Sequence, residues 1–211
     1  MYKSVFKRFL DILLSLIALI CLLWLYVVIA VAIYIDDPGP VLFTQKRVGK
    51  DKKHFQLHKF RTMKISAPHD VPTHLFNNAN EYITRVGGFL RKASLDELPQ
   101  IWDIFVGKMS IVGPRPALWN QYDLISERDK YGVNDIRPGL TGLAQISGRD
   151  EVEISEKAKI DGEYAKVLSS GGIKPLFQDI QCIIKTFFVV ASQNGVVEGG
   201  TQESKVNEEK F

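Results

Sequence analysis

The sequence predicts an α/β protein, mostly helical, in which a small domain with a short β-hairpin sits on an N-terminal membrane-embedded segment. Three observations predict it. Residues 12–35 form an apolar run with Ser15 as its one plainly polar side chain, long enough to cross a bilayer. Two strand-like runs, 41–48 and 55–62, flank a charged turn at 49–53. Beyond them, apolar residues recur at helical spacing in segment after segment.

The apolar run is too long, and lacks the small-residue cleavage site, for a removed signal peptide. Lys3, Lys7 and Arg8 precede it, and Lys46, Arg47, Lys50, Lys52 and Lys53 follow it. Both flanks are therefore cytoplasmic in character, which a segment satisfies by dipping into the membrane and returning. Trp24 and Tyr26, aromatics that prefer the interface, lie at mid-run and point the same way. A straight helix would leave residue 41 onward outside unless the N-terminal cations crossed, at about 2.3 kcal/mol per charge per 100 mV. The expected organisation is an anchor over 1–36, a cytoplasmic domain with amphipathic interfacial helices over 37–198, and a polar, disordered tail over 199–211.

With 211 residues and a formal charge of +3, the chain holds one ordinary domain plus an anchor and leans mildly toward anionic partners. That charge is no nucleic-acid footprint. Cys21 and Cys182 make no disulfide framework and suit a reducing cytoplasm. His54, His58, His69 and His74 lack metal-ligand spacing.

The hairpin's second strand carries Lys59 and Arg61 at a period of two, hence on one face. Residues 64–79, with Pro68 and Pro72, read as a loop. Residues 81–92 read as a short amphipathic helix that delivers Arg91 and Lys92 next to Ser94.

The densest stretch, residues 94–116, begins with the adjacent carboxylates Asp96 and Glu97. Leu98, Ile101, Trp102 and Phe105 follow at i, i+3, i+4 and i+7, predicting a helix that buries this face and turns Asp96, Gln100 and Asp103 to the other. Ser94 and Glu97 form a capping-box signature, although Pro99 fits the helix better if Asp96 is the cap. A buried strand at 109–112 stops at Gly113, and Arg115 follows between two prolines that keep its backbone extended. A helix marked by Trp119, Tyr122 and Ile125 then runs to about Lys130.

Residues 135–149 are rich in glycine and bracketed by Arg137 and Arg149; their turns can place successive N–H groups as an anion nest, or form a plain loop. Residues 151–167 read as a charged helix containing Asp161 and Tyr164. A wide apolar stripe from Leu176 to Phe188 fits a core helix or an interfacial one.

Neither a Walker lysine loop nor G-x-G-x-x-G is present, so a nucleotide is not held in those ways. What remains is an acid pair and several constrained arginines. A carboxylate can attack phosphorus only where cations neutralise the phosphate oxygens, and adjacent carboxylates suit a hard ion such as Mg2+.

In Val5-Phe-Lys-Arg-Phe-Leu-Asp11, Lys59-Phe-Arg-Thr-Met63, Ser94-Leu-Asp-Glu-Leu-Pro-Gln100, Gly113-Pro-Arg-Pro116 and the run from Arg137 to Arg149, the chain resembles the bacterial sugar transferases, or monotopic phosphoglycosyl transferases, to about Val190. The resemblance implies transfer of a phospho-sugar from a UDP-sugar to a polyprenyl phosphate at the cytoplasmic face of the bacterial inner membrane, with release of UMP. It implies Asp96 as nucleophile, Glu97 as its partner acid, and Mg2+ bridging both to the diphosphate. Lys59, Arg61, Arg91, Arg115, Arg137, Arg149 and Asp161 become candidate ligands for phosphate or uridine. The implied partners are these substrates and membrane lipid, no nucleic acid, with a homo-oligomer as a further option. Where many members carry Ser-Pro in mid-segment, this chain has Leu23 and Trp24. The competing reading is a membrane-anchored scaffold of a glycan assembly complex whose acid pair only caps a helix.

Overall fold

The computed structural model describes residues 2–67, 79–147 and 153–191. Arg149, Gly148, His69, His74, most of the loop at 64–79 and the tail lie outside them.

One helical turn at Tyr2–Phe6 leads into α1 (Lys7–Cys21) and α2 (Leu23–Asp36). The apolar run is thus two helices, bent by 60° at Leu22. No proline or glycine causes the break. Each helix is instead fixed to a different part of the domain. In α1, Lys7, Asp11 and Ser15 lie at i, i+4 and i+8 and are buried, while Leu13, Leu14, Ile17 and Ile20 are exposed. Asp11 accepts bonds from the Ser110 hydroxyl (2.8 Å) and the Ile111 N–H (3.0 Å). In α2, Ile29 and Ile33 pack on Phe60 and Leu90, and the Tyr26 hydroxyl donates to the Leu98 carbonyl. Tyr26 thus secures the bend's far side. Trp24, at the same bend, is 65% exposed.

The hairpin forms as expected, with β1 (Leu42–Val48) antiparallel to β2 (His54–Phe60) and Phe43 opposite Lys59. Two short helices follow, α3 (Ala79–Tyr82) and α4 (Arg85–Lys92), where the sequence suggested one. The Thr84 side chain caps α4 by accepting from the Gly87 N–H (3.0 Å).

The acid pair leads into α5 (Gln100–Phe105), which meets the expectation only in part: Leu98 packs on the core and Ile101 is buried as expected, but Trp102 is not. Gln100 (2%) and Asp103 (0%) are buried, while Trp102 is 49% exposed. Tertiary bonding overrides the hydrophobic pattern. Asp103 accepts from the His58 N–H (2.9 Å) and Nδ1 (2.8 Å), covering the open edge of β2, and the Trp102 and Phe105 rings remain paired outside the core at 5.7 Å.

β3 (Ser110–Val112) pairs in parallel with β4 (Gly139–Thr141), a strand the sequence reading missed. The glycines of residues 135–149 permit this pairing. A Cβ on Gly139 would lie 2.1 Å from the Gly113 nitrogen, and one on Gly142 would lie 2.1 Å from the Gly113 oxygen. They bring backbone against backbone. The Gly139 N–H donates to the Pro114 carbonyl (2.9 Å), so that donor of the glycine-rich run is taken up by the protein itself. Between the strands runs α6 (Tyr122–Asp129); after them come α7 (Leu143–Ile146), α8 (Ile154–Ser169) and α9 (Lys174–Ala191).

Tyr164, Leu168 and Cys182 from α8 and α9 meet Val112, Val133 and Ile136 in the main core. The outer face of α9, with Phe177, Ile183, Ile184, Phe187 and Phe188, is exposed. The core reading of that stripe holds for one side of α9, and its other side is bare.

Candidate active site

Asp96 and Glu97 lie in one tight turn, Leu95–Glu97, between α4 and α5. Ser94 enters it with φ +54°, a left-handed conformation that ends α4, and its side chain makes no cap bond. Neither cap register proposed from the sequence forms, because Pro99 stands immediately before α5. Ser94→Ala should therefore cost well under the ~1 kcal/mol of a lost cap. Denaturant unfolding checks this, and a loss of that size would restore the capping box.

Cations from three other elements converge on the turn. Lys59 Nζ, near the end of β2, donates to Glu97 Oε1 (2.8 Å) and lies 3.7 Å from Asp96 Oδ2. Arg115 Nη2, from the double-proline loop, donates to the same Glu97 oxygen (2.8 Å). Arg91, in the last turn of α4, donates through Nε to the Thr62 hydroxyl (2.8 Å) and acts on Asp96 through its charge.

The two carboxylates are driven apart electrostatically. Burial would raise the Glu97 pKa, but the charges and hydrogen bonds of Arg115 and Lys59 outweigh it and hold the group well below the usual carboxylate range. Burial also raises Asp96, where Lys59 opposes the shift and the Glu97 charge adds to it. Asp96 accepts no hydrogen bond among the described residues. One acid is thus a fixed anion bridging two cations; the other has free oxygens beside the same cations.

The remaining candidates take other places. Arg61 is buried and donates from both terminal nitrogens to Asp37, to its carboxylate (2.6 Å) and its carbonyl, tying the end of α2 to the hairpin. It does not share Lys59's partners. Arg137 donates through Nε to the Gly107 carbonyl (3.1 Å), just past the end of α5 opposite to the acid pair. Asp161 is 2% exposed and accepts two bonds from Arg128, at 3.0 and 2.6 Å, so it faces a buried guanidinium rather than open space. Sequence reading missed Arg128 and Arg47, which donate to the carbonyls of Arg115 (2.9 Å) and Pro116 (3.0 Å). Nothing in their local spacing marks them. Arg47, desolvated and beside Arg115, has its pKa lowered to about 9, which leaves it charged at neutral pH.

Among the described residues no cluster of three or more His, Cys, Asp or Glu side chains forms a metal cage. The donors available at this turn are two carboxylates, one of them already engaged. That is a poor cage for a cation alone, but a fit for Mg2+, which takes one or two carboxylates and completes its shell with substrate phosphates and water.

An acid pair clamped by lysine and arginine in a small, mostly helical domain is the kind of arrangement that chemistry at a phosphate ester requires. The family model described as bacterial sugar transferase matches residues 2–193, and the chain belongs to that family of enzymes. It is 38% identical over 189 residues to the UDP-glucose:undecaprenyl-phosphate glucose-1-phosphate transferase of Klebsiella pneumoniae, covering 88% of this chain and 40% of that protein. It is 33% identical over 203 residues to the exopolysaccharide production protein ExoY of Sinorhizobium fredii, covering 90% and 87%. The galactosyl transferase CpsE of Streptococcus agalactiae is 34% identical over 200 residues, covering 90% and 43%. The chain thus spans nearly all of ExoY but less than half of the other two.

Proposed function

We propose that the protein transfers a sugar-1-phosphate from a UDP-sugar to a polyprenyl phosphate, undecaprenyl phosphate in bacteria, releasing UMP as the first membrane step of glycan assembly. The observation that carries this reading is the unbonded Asp96 carboxylate beside a Glu97 that gathers Lys59 and Arg115 onto one oxygen. Asp96 Oδ attacks the sugar-proximal phosphorus, the bond from that phosphorus to the bridging oxygen breaks, and UMP leaves with that oxygen. The polyprenyl phosphate oxygen then attacks the same phosphorus, breaking the acyl phosphate and restoring the carboxylate. The sugar's own C–O bond is untouched. Lys59 and Arg115 neutralise the diphosphate that would otherwise repel Asp96. Mg2+, held by Asp96 and Glu97, would add charge neutralisation there. A purely scaffolding role for the acid pair is disfavoured because the pair caps no helix.

The test is UMP release from a panel of UDP-sugars mixed with the membrane-embedded protein, Mg2+ and a polyprenyl phosphate. Lipid-dependent release supports the reading; folded protein that releases no UMP from any of them overturns it.

A pH profile tests the nucleophile separately. Asp96 attacks only when ionised, and burial raises its pKa, so kcat/KM should fall on acidification with a limb above the ordinary aspartate range. Because the Lys59 charge lowers that pKa, the residual rate of Lys59→Met should lose activity at still higher pH. A limb that stays put in Lys59→Met would detach it from Asp96.

The same reading places α1 and α2 in the cytoplasmic leaflet as a re-entrant pair. At about 22 Å each, neither helix matches a hydrocarbon core of about 30 Å. No single described helix is long and apolar enough to cross, and the tip carries bare Ile20, Leu23 and Trp24. Single cysteines at Lys3 or Lys52, in a chain lacking Cys21 and Cys182, should both escape an impermeant thiol reagent on intact cells. Labelling of Lys3→Cys alone would mean a spanning helix with its N-terminus outside.

A further inference from the structure

The prolines that extend the loop carrying Arg115 also leave it with few hydrogen-bond donors of its own. Pro114 and Pro116 have no N–H, so the backbone is fixed through its carbonyls, and four in succession are held from outside. The Pro114 carbonyl accepts from the Gly139 N–H (2.9 Å) and the Ala117 carbonyl from the Val48 N–H (2.9 Å). Between them, the Arg115 carbonyl accepts from Arg128 Nη1 (2.9 Å) and the Pro116 carbonyl from Arg47 Nη1 (3.0 Å). The Arg128 side chain is only 5% exposed and is locked in turn by Asp161, whose Oδ2 takes both Nε and Nη2. The Arg115 side chain, by contrast, is 42% exposed and touches Glu97 only at its tip.

We propose that Arg128, fixed by Asp161, is a positioning residue that sets the aim of Arg115 at the donor diphosphate by holding the Arg115 carbonyl from behind. The proposal rests on the reading of Arg115 as a diphosphate ligand. The guanidinium suits the task because one planar edge serves the carboxylate while the remaining nitrogen reaches the carbonyl; a lysine ammonium cannot present two such edges at once. Asp161 thereby acts two residues away from any substrate. A buried ion pair of this kind is weak evidence for stability, so its use as a geometric brace is the better account of it.

The test is a double-mutant cycle on UMP release, with Arg128→Lys, Arg115→Met and the pair combined, each first checked for cooperative thermal unfolding well above the assay temperature. Arg128→Lys should lower kcat/KM for the UDP-sugar by about 10- to 100-fold, the scale of a small misplacement. Combined with Arg115→Met it should add less than about threefold to the loss from Arg115→Met alone, because a brace for an absent side chain has nothing to aim. Wild-type kinetics in Arg128→Lys, or losses that multiply in the double variant, would overturn the proposal. Full activity in Arg115→Met would overturn the reading of Arg115 instead, and the single variant tells the two failures apart. If Arg128→Lys does not fold, Asp161→Asn carries the same cycle with a smaller loss, since an amide oxygen still accepts from Arg128. Failure of both to fold would make the network structural and end the proposal.

Discussion

Asp96→Asn should lower turnover by at least about 10^4-fold, the scale on which removing a covalent nucleophile acts, while leaving the fold unharmed. The second half of the expectation follows from the geometry. Asp96 accepts no hydrogen bond among the described residues, and burial raises its pKa, so its negative charge is less well accommodated in the folded protein than in the unfolded chain. A neutral amide of the same shape is then no worse for stability at pH 7. The melting temperature should stay level or rise slightly. Mass spectrometry gives a direct reading: with UDP-sugar alone the wild-type protein should gain the mass of one sugar phosphate, and Asp96→Asn should gain none. Retention of more than about a tenth of the activity, or an adduct in the variant, would move the nucleophile elsewhere.

Asp179→Ala should lower unfolding stability by about 3–5 kcal/mol, the cost of breaking a buried ion pair from one side. Asp179 accepts from the Tyr2 hydroxyl (2.6 Å), from Lys7 Nζ (2.6 Å) and from the Tyr164 hydroxyl (2.8 Å), and Tyr164 also reaches the Val112 carbonyl (3.0 Å). One carboxylate therefore joins the start of α1 to α8, α9 and the strand that leads into the Arg115 loop. Its loss strands the Lys7 ammonium, which is 9% exposed. Lys7→Met combined with Asp179→Leu should lose less than Asp179→Ala alone, because no charge is then left unpaired in the interior. Denaturant unfolding in matched detergent checks both, and a loss below about 1 kcal/mol in Asp179→Ala would show that the hub does not tie the helices together.

The comparison of sequence and structure divides along the range of the interactions involved. The hairpin, the helices at about 119–130, 151–167 and 176–188 and the acid pair with its candidate cations were legible because each is marked by spacing within a few residues, and Lys59 and Arg115 do meet at Glu97. The basic flanks and mid-run aromatics were enough to suggest a return in the apolar run, and the chain does bend there without a proline. Long-range bonding decided the rest. Periodicity placed Ile101 inside correctly but left Asp103 outside, because it cannot count the bond that Asp103 makes to His58, 45 residues away in sequence. The cap was misread because local residue types favour one, whereas the backbone at Ser94 takes a left-handed turn and its side chain makes no cap bond. Arg61, Arg137 and Asp161 were cations and acids of the right type in the right motifs, yet only folding could give them Asp37, Gly107 and Arg128 as partners. By itself the sequence determined which groups are available for phosphate chemistry and which segments are apolar. The tertiary structure alone decided which of those groups are free to act, because a buried charge must be matched by a partner that lies close in space and far along the chain.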